Sequence, residues 1–252
     1  MNEASMPLRS DAAADVVLPA VTPATPATSA ARGPARHRAV IAAAIGNGLE
    51  IYDFTVYSFF AATIGRLFFP ASSPMASLLL SFATFGAGFV MRPLGAVLIG
   101  SMADRRGRKA ALTLTIGLMT AGTALIAFTP SYATIGVAAT VLVVLGRLLQ
   151  GLSAGGEVGA ASALLMESAT QDRRCFLVSW QAATQGAAAL LGALTGAAVS
   201  ATLSPEALQS WGWRVPFMVG LLIAPVGIYI RRHLEETHTE SRAHASLRAV
   251  VR

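Results

Sequence analysis

Five charged residues stand where charge is costly. Glu50 and Asp53 lie inside an apolar stretch that begins near Val40. Arg92 lies inside one that begins near Met75, and Arg147 and Glu157 lie in or near one that begins near Thr134. A charge at membrane depth costs about 2.5–3.5 kcal/mol or more on insertion scales, so it turns to a partner or to a wet cavity. Gly46, Glu50, Asp53 and Tyr57 follow one another at intervals of 4, 3 and 4 residues, which places them on one face of a helix. Two chemistries fit such a set. The carboxylates and guanidiniums neutralise one another as structural pairs, or they form a polar pathway through a bundle. Spacing alone leaves both open.

The elements that must hold these residues follow from composition. Of the 252 residues, 13% are charged and 54% belong to the apolar set, with a mean hydropathy of +0.59. A soluble domain carries about 25% charged residues. A soluble fold of this size cannot hide so much apolar surface. The chain therefore reads as an all-α membrane protein. A bilayer core of about 30 Å needs roughly 20 apolar residues of helix. On that ruler six spans are expected in a bundle over residues 39–232, at about 40–64, 75–102, 110–128, 134–152, 176–202 and 215–230. The fourth is open to continuation as far as Leu165. The uncharged run from Ala110 to Gly146 would be about 55 Å long as one helix, too long for one crossing. "TPSY" at 129–132 supplies the break, because Pro130 disfavours helix in the residue before it. Residues 1–38 are rich in Ala, Thr and Pro and are expected to be a disordered tail. Residues 233–252 are expected to be a second tail, the start of a central loop.

Charge orients the spans. Arg32, Arg36 and Arg38 precede the first, Arg105, Arg106, Arg108 and Lys109 follow the second, Arg173 and Arg174 follow the fourth, and Arg231 and Arg232 follow the sixth. The alternate gaps hold only Arg66 and Arg214. Cytoplasmic loops carry the excess of Lys and Arg, so six spans with both termini in the cytoplasm satisfy every loop. That arrangement places the chain in a plasma (inner) membrane, among lipid.

Other classes find little support. The net charge of +6 and pI near 10.4 come from basic residues in short gaps, not from one soluble face, so nucleic acid is not an expected partner. One cysteine, Cys175, permits no internal disulfide and no CxxC site. "HLEETH" matches neither zinc-helix spacing, so no metal is expected. There is no P-loop, and "GNGLEI" fails the dinucleotide pattern, so no cofactor and no enzymatic activity is expected. Gly151, Gly155 and Gly159 share one helical face, as do Gly192, Gly196 and Ser200, and such faces let helices approach closely.

"GSMADRRGRKA" at 100–110 gathers five charges into one short knot. Its Gly100, Asp104, Arg105, Gly107, Arg108 and Lys109 resemble the loop signature between the second and third helices of the major facilitator superfamily. "GNGLEIYDF", "RPLG", "GRLLQGLSAGGEVG" and "WGWRVPF" resemble that superfamily's metabolite:proton symporters. "ASLLLSFATFGAGFVMRPLGA" and "LEET" are most similar to its citrate and tricarballylate proton symporters, with carriers of 2-oxoglutarate, shikimate or proline/betaine as alternatives. The resemblance implies symport of protons with an organic acid. It implies substrate binding at Arg147, Arg92 and Gln150, and proton coupling or charge pairing at Glu50, Asp53 and Glu157. It implies gating at the six knot residues, with Asp104 paired to the opposite half. Ile51 departs from it where relatives often show tryptophan.

Members of that superfamily have twelve helices in two halves, with substrate held between them. The chain stops at "SLRAVVR", so the expectation is the N-terminal six-helix half only. Such a half is expected not to transport alone. It would self-associate, meet a separate C-terminal half, or persist as a non-transporting fragment. The topology is directly checkable. A reporter fused after Arg252 and active only outside the membrane is expected to stay silent, and strong external activity would overturn the six-span reading.

Overall fold

The computed structural model describes residues 33–167 and 171–232. The remainder of both expected tails, with the "HLEETH" segment, lies outside the described residues. Among the described residues there is no strand. Six long helices carry the fold: α1 (Gly33–Phe59), α2 (Pro74–Arg106), α3 (Arg108–Phe128), α4 (Val137–Glu167), α5 (Arg174–Thr202) and α6 (Arg214–Arg232). Short helices at Ala61–Phe68 and Tyr132–Ile135 fill two of the connections. Of the six, α2, α3, α4 and α5 each contain a stretch long and apolar enough to cross a membrane. The α1 helix, at 27 residues, has the length but carries Asn47, Glu50 and Asp53 at its centre.

Several boundaries differ from the sequence expectation. α1 starts at Gly33, so residues 33–38 are helical and not part of a tail. The first expected span is not one helix: it breaks at Phe60, and Ala61–Phe68 turns inward, burying Ile64 and Phe68. The charged knot is not an extended loop. α2 runs through Arg106, α3 starts at Arg108, and Gly107 alone separates them. Gly107 has φ 91°, a left-handed conformation open to glycine and costly for residues with a Cβ. Position 107 thus makes a reversal between two membrane helices in a single residue.

α4 is the central post, packed on α2 and α3, with α1 against α5, α6 and α4. Glycines set the closest approach. A Cβ on Gly151 would overlap the Gly88 carbonyl, and one on Gly155 would overlap that of Arg92. Gly95 is pressed likewise on the Leu152 carbonyl. Gly192 and Gly196 fit α5 onto Thr55 and Phe59 of α1. Gly159, on the same face by spacing, meets nothing within 4 Å. It lies beyond the contact, so the expected glycine face is functional in packing over two of its three members.

Two apolar clusters occupy opposite ends. Phe68, Ile126, Val143, Trp213 and Phe217 fill one, and Ile99, Leu112, Ala161 and Leu165 fill the other, beside the Gly107 turn. In the first, Arg214 donates from Nε to the Ala127 carbonyl at 3.0 Å and from Nη2 to that of Thr129 at 3.1 Å. It thereby satisfies carbonyls that the end of α3 leaves without helical partners. Its guanidinium also lies 4.3 Å from the Trp213 ring centroid. This explains a lone arginine in a gap otherwise poor in charge.

Between the clusters lies a polar layer, and the α2–α4 contact holds two of its walls. Gly151→Ala and Gly155→Ala are each expected to destabilise the bundle by about 1–3 kcal/mol, the usual range for overpacking. Gly159→Ala should be neutral or slightly stabilising, since alanine is the better helix former. Detergent-denaturation curves followed by circular dichroism would check the contrast.

Candidate functional site

The polar layer is built by α1, α2, α3 and α4. Asp53 of α1 lies at its centre, at 1% exposure. Its Oδ1 accepts from the Thr123 hydroxyl of α3 at 2.9 Å. Its Oδ2 accepts from Arg147 Nη1 at 3.2 Å and from Gln150 Nε2 at 2.8 Å, both on α4. Arg147 Nη1 also donates to Gln150 Oε1 at 2.6 Å, and Gln150 Nε2 reaches Thr123 at 2.9 Å. Both carboxylate oxygens are therefore occupied, and one network ties three helices. Arg147 is itself 1% exposed. Its guanidinium carbon lies 3.5 Å from the centroid of the Tyr57 ring and 5.2 Å from that of Phe85. Tyr57 donates in turn to the Ser81 carbonyl of α2 at 3.1 Å.

A second ion pair lies one turn along α1. Arg92 Nη2 of α2 contacts Glu50 Oε1. Its surroundings differ from those of the first pair. The Arg92 side chain is 30% exposed, while that of Glu50 is buried. Glu50 Oε2 and Arg92 Nε make no hydrogen bond to protein atoms. Glu157 of α4 is buried and acts electrostatically on Glu50. The Arg92 guanidinium sits over Phe89 at 4.6 Å and Phe54 at 5.2 Å. Phe54 also lies 5.7 Å from the Arg147 guanidinium, so one ring stands between the two cations.

The structure thus joins Asp53, Arg147 and Gln150 in one group and Glu50, Arg92 and Glu157 in the other. Of the two arginines, Arg92 is partly exposed and Arg147 is buried. The knot residues stand apart from both groups, at the end of the bundle. Asp104, with a side chain 71% exposed, pairs with Arg108 at 2.9 Å across the Gly107 turn. Beside them Gly100, Ala103, Gly155, Gly156 and Ala163 line a groove of about 440 Å³. No group of three or more metal-type ligands occurs among the described residues.

Sequence reading did not single out Thr123, Ser81 or the phenylalanines. Phe85, Phe89 and Arg92 are spaced 4 and 3, so the aromatic face of α2 was legible as a cation-covering stripe. Thr123 carried no such signal, being one of several threonines in α3. Nor did the amide cluster between α1 and α5 announce itself. There Gln185 Nε2 donates to Asn47 Oδ1 at 3.0 Å, and Asn47 Nδ2 donates to the Gln181 carbonyl at 2.9 Å.

Residues 39–249 match the sugar (and other) transporter family. The citrate-proton symporter of Klebsiella pneumoniae is 48% identical over 88% of this chain and 50% of its own length. The alpha-ketoglutarate permease of Escherichia coli K12 is 41% identical over 81% of this chain and 48% of its own. Among solved structures, the major facilitator superfamily proton:xylose symporter XylE superimposes with a TM-score of 0.73 at 19% identity, over 81% of this chain and 46% of that one. That likeness establishes the fold. The chain spans about half the length of the curated relatives it matches.

The two ion pairs predict different mutational behaviour from the surface pair. Removing one partner of a buried pair strands the other, at a cost of about 3–5 kcal/mol. Asp53→Ala or Arg147→Met should each destabilise by that order, and the double change by less than the sum. Asp104→Asn, on an exposed turn, should stay within about ±0.5 kcal/mol. Unfolding in mixed micelles measures all four variants.

Proposed function

We propose that this chain, which belongs to the sugar (and other) transporter family, provides the N-terminal six-helix half of a proton-coupled symporter for a tricarboxylate or related organic acid such as citrate. The observation that carries this reading is the 48% identity with the citrate-proton symporter of Klebsiella pneumoniae over 88% of the chain. The chemistry of the polar layer supports it. A carboxylate is the natural partner of a guanidinium, whose donors match its geometry in pairs. Arg92 is the accessible guanidinium and Arg147 lies behind it, held by Asp53 with Gln150. In this reading a substrate carboxylate meets Arg92 first. Arg147 and Gln150 come within reach only when α1 shifts against α4.

A site between two halves needs polar groups from both. The partner is therefore a C-terminal six-helix unit, and the knot from Gly100 to Lys109 faces it at the cytoplasmic end. The two termini lie in the cytoplasm and the bundle in the inner membrane. Support for the orientation comes from the basic residues at the Gly107 end of the bundle. The function is carriage across the membrane and not catalysis.

Labelled citrate uptake into vesicles tests the reading, with this chain alone and with a C-terminal half co-expressed. Saturable uptake in the paired sample, abolished by collapsing the proton gradient, is expected, with none from the chain alone. Arg147→Lys should impair it in the paired sample while insertion is unchanged, because lysine keeps the charge but loses the planar fork. Transport of 2-oxoglutarate, shikimate or proline in place of citrate would reassign the substrate. Saturable uptake by the chain alone would show that one half suffices.

A further inference from the structure

We propose that Gln185 Oε1, held in place by Asn47, receives a hydroxyl group of the substrate and so selects hydroxy-acids over acids that carry a hydrogen or a keto oxygen at that place. The inference rests on the organic-acid reading above and names the substituent recognised beside the carboxylates.

The amide cluster between α1 and α5 belongs to neither ion pair. Gln181, Thr184 and Gln185 of α5 share one helical face and meet Asn47 of α1, which is 1% exposed. Ser162 of α4 closes the cluster by donating to Gln181 Oε1 at 2.9 Å.

The polarity of the cluster is fixed from one end. A backbone carbonyl only accepts, so the Asn47 group 2.9 Å from the Gln181 carbonyl is its NH2. The other end of that amide is Oδ1, an acceptor, and the Gln185 group 3.0 Å from it is therefore Nε2. Gln185 Oε1 is left as the outward end. Among the described residues it makes no hydrogen bond, and it is not enclosed, since Gln185 is half-buried. A carbonyl oxygen accepts and cannot donate. A hydroxyl satisfies it. A keto oxygen sets acceptor against acceptor, and a bare C–H leaves it unpaired.

Its place suits a carboxylic acid. α2 packs on α4 and α5 on α1, so Arg92 and Gln185 come from opposite flanks. They meet α1 at neighbouring levels, Arg92 at Glu50 and Gln185 at Asn47. Three residues of helix separate those levels by about 4.5 Å along the axis. An acid with a carboxylate on Arg92 and a hydroxyl a few bonds away can serve both groups.

Citrate and tricarballylate make the test, because both carry three carboxylates and they differ in the hydroxyl alone. Each is added unlabelled against labelled citrate uptake in vesicles holding this chain paired with a C-terminal half, and the ratio of half-inhibiting concentrations is read. The native ratio is expected to favour citrate by roughly twofold to tenfold, the worth of one neutral hydrogen bond. Gln185→Met keeps the length of the side chain without the oxygen and should bring the ratio near one. Gln185→Asn, which withdraws the oxygen by one methylene and guards against a Gln185→Met variant that does not fold, should lower it. A merely structural role for Gln185 would weaken both acids alike and leave the ratio unmoved. A native ratio near one, an unchanged ratio in either variant, or stronger competition by 2-oxoglutarate than by citrate would each overturn the assignment. Absence of citrate uptake from the native paired sample would sink the organic-acid reading and this inference together, whereas uptake without a hydroxyl preference sinks this inference alone.

Discussion

A carboxylate and a guanidinium, each 1% exposed, cannot be left apart in an apolar interior. Separating Asp53 from Arg147 would leave two unpaired charges where water does not compensate them. The pair therefore fixes how α1 and α4 are rotated about their own axes. Thr123 brings α3 to the same carboxylate, and Tyr57, stacked on Arg147, brings α2 through Ser81. Four helices are thus registered on one buried charge pair. The glycines of α2 and α4 serve the same end. Gly88 packs on the Arg147 carbonyl and Gly155 on that of Arg92, so close approach is concentrated where the arginines leave their helices.

Much of this was legible in the sequence because charge is so costly in lipid. Glu50, Asp53, Arg92, Arg147 and Glu157 stood out against uncharged runs, and the 4, 3, 4 spacing put both α1 acids on one face. Which acid met which arginine was not legible. Glu50 and Asp53 are three residues apart, close enough on a helix surface for either to reach either cation. The choice depends on the relative rotation of α2 and α4, which only the packed glycines decide. Sequence reading left structural pairing and a polar pathway both open, and Asp53 and Arg147 meet as a buried pair within this bundle.

Helix limits were less legible than helix existence, for local reasons. The break at Phe60 carries no Pro or Gly. It comes from Ile64 and Phe68 turning into an apolar cluster with Trp213, a contact about 150 residues away in sequence that no local pattern announces. The opposite error occurred at the knot. Five charges suggested a loop, yet charged side chains at the ends of membrane helices reach the headgroup level while the backbone stays helical. Gly107 alone supplies the reversal.

The two pairs also differ in their surroundings. The Asp53 network joins four side chains, and both carboxylate oxygens are met. Each pair keeps buried polar atoms without a protein partner: Arg147 Nε and Nη2 in the first, Glu50 Oε2 and Arg92 Nε in the second. Phe54 lies against both guanidiniums and belongs to neither pair. Its ring therefore offers each cation a second, uncharged contact. An aliphatic side chain there would fill the same volume without a negative face for either cation. Two ion pairs with an aromatic ring between them hold opposite charges together at this depth, while the packed glycines of α2 and α4 keep close the helices that carry them.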